Sequence, residues 1–154
     1  MRITELFDNG EFVVSAEVGP PKGIHIDGMV EEAKKYLTGV HFVNVTDNQS
    51  SVMRLGSLAT CKVLKDAGLN PIFQLTCRDR NRIALQSDLL SAAMLGIDNI
   101  LCLTGEARVR SGLCVAALCC EHARNRQGSG RQRAGRRSAQ VCQGRGCLSV
   151  LGLC

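Results

Sequence analysis

The sequence predicts an α/β fold of parallel strands joined by helices, and three observations carry that prediction. Short apolar, β-branched runs begin at positions 12, 41, 71 and 98, spaced by 29, 30 and 27 residues, the length of one strand-helix unit. Helical apolar periodicity fills each interval. Every run also ends in polar residues, which places chemistry at the C-terminal ends of the strands.

The first run, 12–17 (FVVSAE), reads as a strand because Val13 and Val14 suit a pleated, buried surface, while Pro20 and Pro21 forbid its continuation. It leaves Glu17 at the mouth of the sheet. Residues 27–37 follow as an amphipathic helix with Met29, Val30, Ala33 and Leu37 on one face and Asp27 as its cap. The second strand, 41–46 (HFVNVT), closes on Asp47, Asn48, Gln49 and Ser50. A helix over 52–67 carries Leu55, Leu58, Ala59, Val63 and Leu64 and stops at Gly68. The third strand, 71–76 (PIFQLT), ends in Cys77, Arg78, Asp79, Arg80 and Asn81. A further helix, 83–95, stops at Gly96, and a fourth strand, 98–104 (DNILCLT), ends at Gly105 and Glu106.

Four βα units in a row suit either an open doubly wound sheet or a (β/α)8 TIM barrel. No G-x-G-x-x-G follows the first strand, which weakens the dinucleotide-binding open sheet. The barrel explains why Asn44, Gln74 and Thr76 interrupt otherwise apolar strands, since solvated loops alone would leave the strand interiors apolar. The expectation is therefore the first four βα units of such a barrel.

Composition changes abruptly after residue 106. Residues 1–106 hold ten Lys/Arg and thirteen Asp/Glu, a balance of −3; residues 107–154 hold nine Arg and one Glu, a balance of +8, and together they give the net +5. All five Lys and all five aromatic residues lie in the first part, and six of the nine Cys in the second. An odd cysteine count and a start without a signal-peptide core lead us to expect a cytoplasmic chain without a disulfide framework. The longest apolar run, 113–120, is too short to span a bilayer.

The Arg/Gly/Cys-rich residues 107–154 show no strand-helix alternation and are expected to be disordered or translated out of frame. A nucleic-acid-binding tail is disfavoured because no aromatic side chain is present to stack on bases. A zinc site from Cys114, Cys119, Cys120, His122, Cys142 and Cys147 has suitable ligand types but weak spacing. Four units alone would leave both sheet edges open, so self-association through those edges is also expected.

The motifs EVGPPKG, VNVTDNQSS, FQLTCRDRNR and LCLTGE, in this order and spacing over residues 1–106, resemble the methylenetetrahydrofolate reductase family, in its short single-barrel bacterial and archaeal form. The resemblance implies a homo-oligomeric flavoprotein on a (β/α)8 barrel, in which NAD(P)H reduces FAD and the flavin reduces 5,10-methylenetetrahydrofolate to 5-methyltetrahydrofolate. It implies that Glu17 is the general acid that protonates N10 of the folate so that the methylene bridge opens. Desolvation at an apolar barrel rim would favour the protonated form of such a group. Thr46 matches a flavin-contacting threonine. Gln74 stands where many members have a flavin-contacting histidine, Thr104 where some have arginine, and Glu106 where the family has an aspartate that tunes flavin and folate binding. With the second half of the barrel unmatched, FAD is expected to bind weakly or not at all, and activity to be low or absent; a stoichiometrically yellow, active protein would refute this. The alternatives are a basic RNA-associated protein acting through its tail, or another pterin-binding barrel such as a methyltransferase.

Overall fold

The computed structural model describes residues 1–103 in full and the backbone of residues 138–143 and 146–153. Two compact units are distinguished, Met1–Gln74 and Leu75–Cys154.

The first unit opens with a helix that the sequence reading did not anticipate, α1 (Ile3–Asp8), whose Ile3 and Thr4 are buried. Strand β1 (Ser15–Val18) is shorter and later than the expected 12–17. The apolar run misleads here, because Phe12 is 86% exposed. Val14 is joined to His41 instead, through its own N–H to the ring Nδ1 (3.1 Å) and through its carbonyl from the His41 N–H (2.9 Å). Helix α2 (Asp27–Tyr36) begins at Asp27 itself, with Ile26 in the capping position and no side-chain cap. Asp27 thus acts inside the first turn, where its charge complements the helix dipole as Lys34 and Lys35 do in the last turn.

Strand β2 (Phe42–Val45) follows, then a single 3₁₀ turn (Gln49–Ser51) and helix α3 (Ser57–Asp66). The expected helical start at 52 is displaced because Asn48, Ser50 and Ser51 take left-handed backbone angles (φ 44°, 59° and 56°) that no helix continues. Gly68, with φ +90°, ends this helical segment as expected. Strand β3 (Pro71–Thr76) is buried along its whole length.

Within the first unit, β1, β2 and β3 pair in parallel in that order, with Glu17 opposite Asn44, Asn44 opposite Ile72, and Val45 opposite Phe73. Strand alternation then sorts the side chains. One parity holds Val43, Val45, Phe73 and Leu75, all at 0–1% exposure, and α3 packs on β2. Each such buried side chain contributes on the order of 1.5–3 kcal/mol. The other parity begins with apolar Phe42 and Ile72 and becomes polar toward the strand ends, at Glu17, Asn44, Thr46 and Gln74.

The second unit contains helix α4 (Arg82–Met94) and strand β4 (Asn99–Leu103). Asn81 caps α4, its Oδ1 accepting from the Ala84 N–H at 2.9 Å. At the end of β3 the Cys77 N–H donates to Leu103 O at 3.1 Å, which sets the C-terminal ends of β3 and β4 side by side. Strands β5 (Ser138–Gln143) and β6 (Gly146–Leu153) form an antiparallel pair, and β6 lies parallel to β4. Within residues 107–154 the described backbone holds these two strands. Strand β6 runs beside β4 along Asn99–Leu103. Among the described residues no helix is long and apolar enough to cross a membrane.

Candidate functional site

Register brings three of the five residues singled out in the sequence to one face of the first unit. Glu17 stands directly opposite Asn44. Continuing the β2/β3 register by one step places Thr46 beside Gln74, on the same parity as Glu17 and Asn44. Thr104 and Glu106 lie outside the described residues.

Glu17 is exposed, in correction of the apolar rim expected around it. Strand β1 is paired only to β2 among the described residues, and its burial alternates, with Ser15 and Glu17 outward. The carboxylate Oε2 accepts from Asn44 Nδ2 at 3.4 Å. Asn44 Oδ1 is buried and has no hydrogen-bond partner.

Thr46 is 4% exposed, and its Oγ1 is likewise buried without a partner. Its backbone is fixed by donation from Thr46 N–H to Val18 O at 3.1 Å, at the end of β1. A Cβ added to Gly19 would lie 3.7 Å from Thr46 Oγ1, so this hydroxyl sits against the Gly19 turn. Gln74 is 7% exposed; its carbonyl accepts from Ser57 Oγ at 3.0 Å, which pins the strand to the start of α3.

Two loops frame this face. Arg54 Nη1 donates to Pro20 O at 2.9 Å and Leu55 N–H to Pro21 O at 2.8 Å, which ties the loop after β2 to the Gly-Pro-Pro turn after β1. Asn48 Oδ1 accepts from Arg54 N–H at 3.2 Å. Arg54 Nε is buried and unpartnered. Asp47, 4% exposed, is a buried acid beside Thr46.

Buried polar groups are ordinarily satisfied. Asn44 Oδ1 and Thr46 Oγ1, on the same face, are therefore acceptors left open for a ligand that donates hydrogen bonds. Asn44 and Arg54 join this face without having been among the candidate site residues of the sequence. Asn44 carried a legible signal, a carboxamide inside an apolar strand at the same parity as Thr46. Arg54 carried none, since its role depends on loop geometry.

In the second unit, the residues after β3 form local ion pairs. Arg78 contacts Asp79 through Nε (3.1 and 3.0 Å) and Nη2 (2.8 Å). The hydrogen bond and charge of Arg78, with help from Arg80, hold the Asp79 carboxyl below the usual carboxylate range. Arg80 Nε donates to Asp88 Oδ2 at 2.9 Å and Nη1 to Thr76 O at 3.5 Å, joining the end of β3 to α4. Among the described residues, no three His, Cys, Asp or Glu side chains are grouped so as to hold a metal ion. The zinc ligands considered for the tail lie outside the fully described residues.

Comparison with known families gives a match over residues 2–113 to the family model described as methylenetetrahydrofolate reductase. The match continues past residue 106, where the sequence motifs end. No curated protein matches the chain.

Proposed function

The chain belongs to the methylenetetrahydrofolate reductase family, and from that premise we propose that the polar face of β1, β2 and β3 is part of a flavin site at which 5,10-methylenetetrahydrofolate is reduced to 5-methyltetrahydrofolate. The observation that carries this reading is the coincidence of the family match with unpartnered polar groups at Thr46 and Asn44, beside the carboxylate of Glu17.

FAD, when bound, would supply the hydride, having received it from NAD(P)H. The protein's own residues do the rest. Glu17, at the open end of β1, delivers a proton to N10 of the folate, the bond whose protonation frees the methylene group as an electrophile. Its exposure gives a folate access to the carboxyl. Thr46 Oγ1 and the Gln74 amide supply hydrogen bonds to the edge of the flavin, and Thr46 Oγ1 gains a partner that it lacks among the described residues. Arg54, bonded to Pro20 O, holds the turn that follows Glu17. Thr104 and Glu106 are assigned flavin and folate binding by their positions in the family motif alone. The cytoplasmic setting expected from the sequence belongs to the same proposal.

The test is a flavin titration of the purified chain followed by anaerobic mixing with NAD(P)H and then with 5,10-methylenetetrahydrofolate. Weak but saturable FAD binding is expected, reduced at least tenfold by Thr46→Val. Reoxidation of the reduced flavin by folate is expected in the wild type and lost in Glu17→Gln, with FAD binding retained. FAD binding that Thr46→Val leaves unchanged, or folate-dependent reoxidation that survives Glu17→Gln, would overturn the assignment.

A further inference from the structure

The Glu17–Asn44 pair has a property that a fixed hydrogen bond lacks. A group that gives up a proton must be accommodated in two forms: the acid, which donates through O–H, and the carboxylate, which only accepts. Asn44 is the only hydrogen-bond partner of Glu17 among the described residues, through Nδ2 to Oε2 at 3.4 Å. That orientation serves the carboxylate. At its other end the same amide has a buried Oδ1 with no partner.

An amide dedicated to donation would have its oxygen satisfied by the surroundings, which would lock the orientation. At Asn44 no described residue bonds Oδ1 to lock it. A half-turn about χ2 exchanges Nδ2 and Oδ1, and presents to Glu17 an acceptor suited to the protonated acid. The long contact leaves room for this exchange, and the direct register of Glu17 on Asn44 keeps the two side chains together throughout.

We propose that Asn44 is the positioning residue of Glu17, with a side-chain amide that reverses as the carboxyl gains or loses its proton. This rests on the reading of Glu17 as proton donor. In that step the Glu17 O–H leaves Asn44 Oδ1 and turns to N10 of the folate, the O–H bond breaks as an N–H bond forms there, and Asn44 then turns to donate Nδ2–H to the carboxylate left behind. The chain therefore holds its acid in place both before and after the transfer, with one neutral residue and no second charge.

The titratable groups on the segments flanking the pair are His41, whose Nδ1 accepts from the Val14 amide, and the buried Asp47 beyond β2. The experiment separates their influence from that of Glu17. In the full chain without flavin or folate, the Glu17 carboxyl carbon and the Asn44 side-chain nitrogen are followed by NMR from neutral to acidic pH. One shared midpoint is expected for both signals. Glu17→Gln, at an exposed position where the fold tolerates it, should abolish the Asn44 movement. An Asn44 signal that ignores the Glu17 transition, or moves unchanged in Glu17→Gln, would overturn the proposal. Because no cofactor is added, the result is independent of the reductase assignment. Coupling without folate reduction would defeat the reaction and leave the pair intact, and folate reduction without coupling would do the reverse.

Discussion

Arg54 reaches from the loop after β2 to the carbonyl of Pro20, placing Nη1 2.9 Å from the oxygen, three residues beyond Glu17. It is the side-chain link between the two loops that frame the polar face. A hydrogen bond from a charged donor in a half-buried setting is worth about 1.5–3 kcal/mol. Arg54→Ala should lower stability by that order in urea unfolding and loosen the Gly-Pro-Pro turn, read as faster amide exchange at Gly19. Arg54→Lys keeps the charge but loses the fork geometry and should recover only part of the loss.

The left-handed residues after β2 offer a test of stored backbone strain. Ser50 has φ 59° and Ser51 φ 56°, a region costing a non-glycine residue roughly 1–2 kcal/mol. Glycine removes that strain but adds freedom to the unfolded chain. Ser50→Gly should therefore raise the unfolding free energy by at most about 1 kcal/mol, read as a higher urea midpoint with an unchanged slope. Ser50→Val, branched at Cβ, should lower it.

Cys61 gives a pH dependence with a definite sign. Burial pushes its thiol well above the ordinary value of 9.0. Above that pH the unfolded chain releases the thiol proton while the folded chain keeps it, so this group's contribution is complete below pH 9 and declines as pH rises. The decline is about 1.4 kcal/mol per pH unit at most. Cys61→Ala should cost stability at pH 7 by opening a cavity, and its deficit against the wild type should shrink between pH 9 and pH 10.5.

Packing on the opposite parity of the sheet should dominate stability. Leu64 on α3 is 0% exposed, whereas Met94 at the end of α4 is 79% exposed. Leu64→Ala is expected to cost about 2–5 kcal/mol, and Met94→Ala less than about 0.5 kcal/mol. Thermal unfolding of the two variants against the wild type checks both.

The sequence made the βα alternation legible because most strands are dense apolar runs bounded by glycine or by polar clusters. The second, third and fourth strands stand within two residues of their expected places, and Gly68 and Gly96 stop the helices they were expected to stop. The failures have local causes. At β1, Phe12 belongs to an apolar run but faces solvent, and the pairing of Val14 depends on a histidine side chain 27 residues away. The start of α3 was lost to backbone angles at Ser50 and Ser51 that serine does not advertise. Helix α1 has only six residues, too few for a periodic signal. The β5–β6 pair lies in a stretch whose composition suggests no structure, and backbone pairing makes weaker demands on side chains than core packing does. At the site, Glu17, Thr46 and Gln74 were readable by motif, and Asn44 by its polarity. The exposure of Glu17 was not, because it follows from which neighbours β1 pairs with.

The two-residue alternation along β2 carries a penalty for insertions that single substitutions do not reveal. One extra residue between Phe42 and Asn44 would swap the inventories of the two sheet faces downstream, sending the hydroxyl of Thr46 into the hydrocarbon beneath α3 and leaving Val45 where a ligand would look for hydrogen bonds. One-residue insertions or deletions in this strand should thus be lethal to folding and binding together, while the loop just beyond it can change length with far less harm.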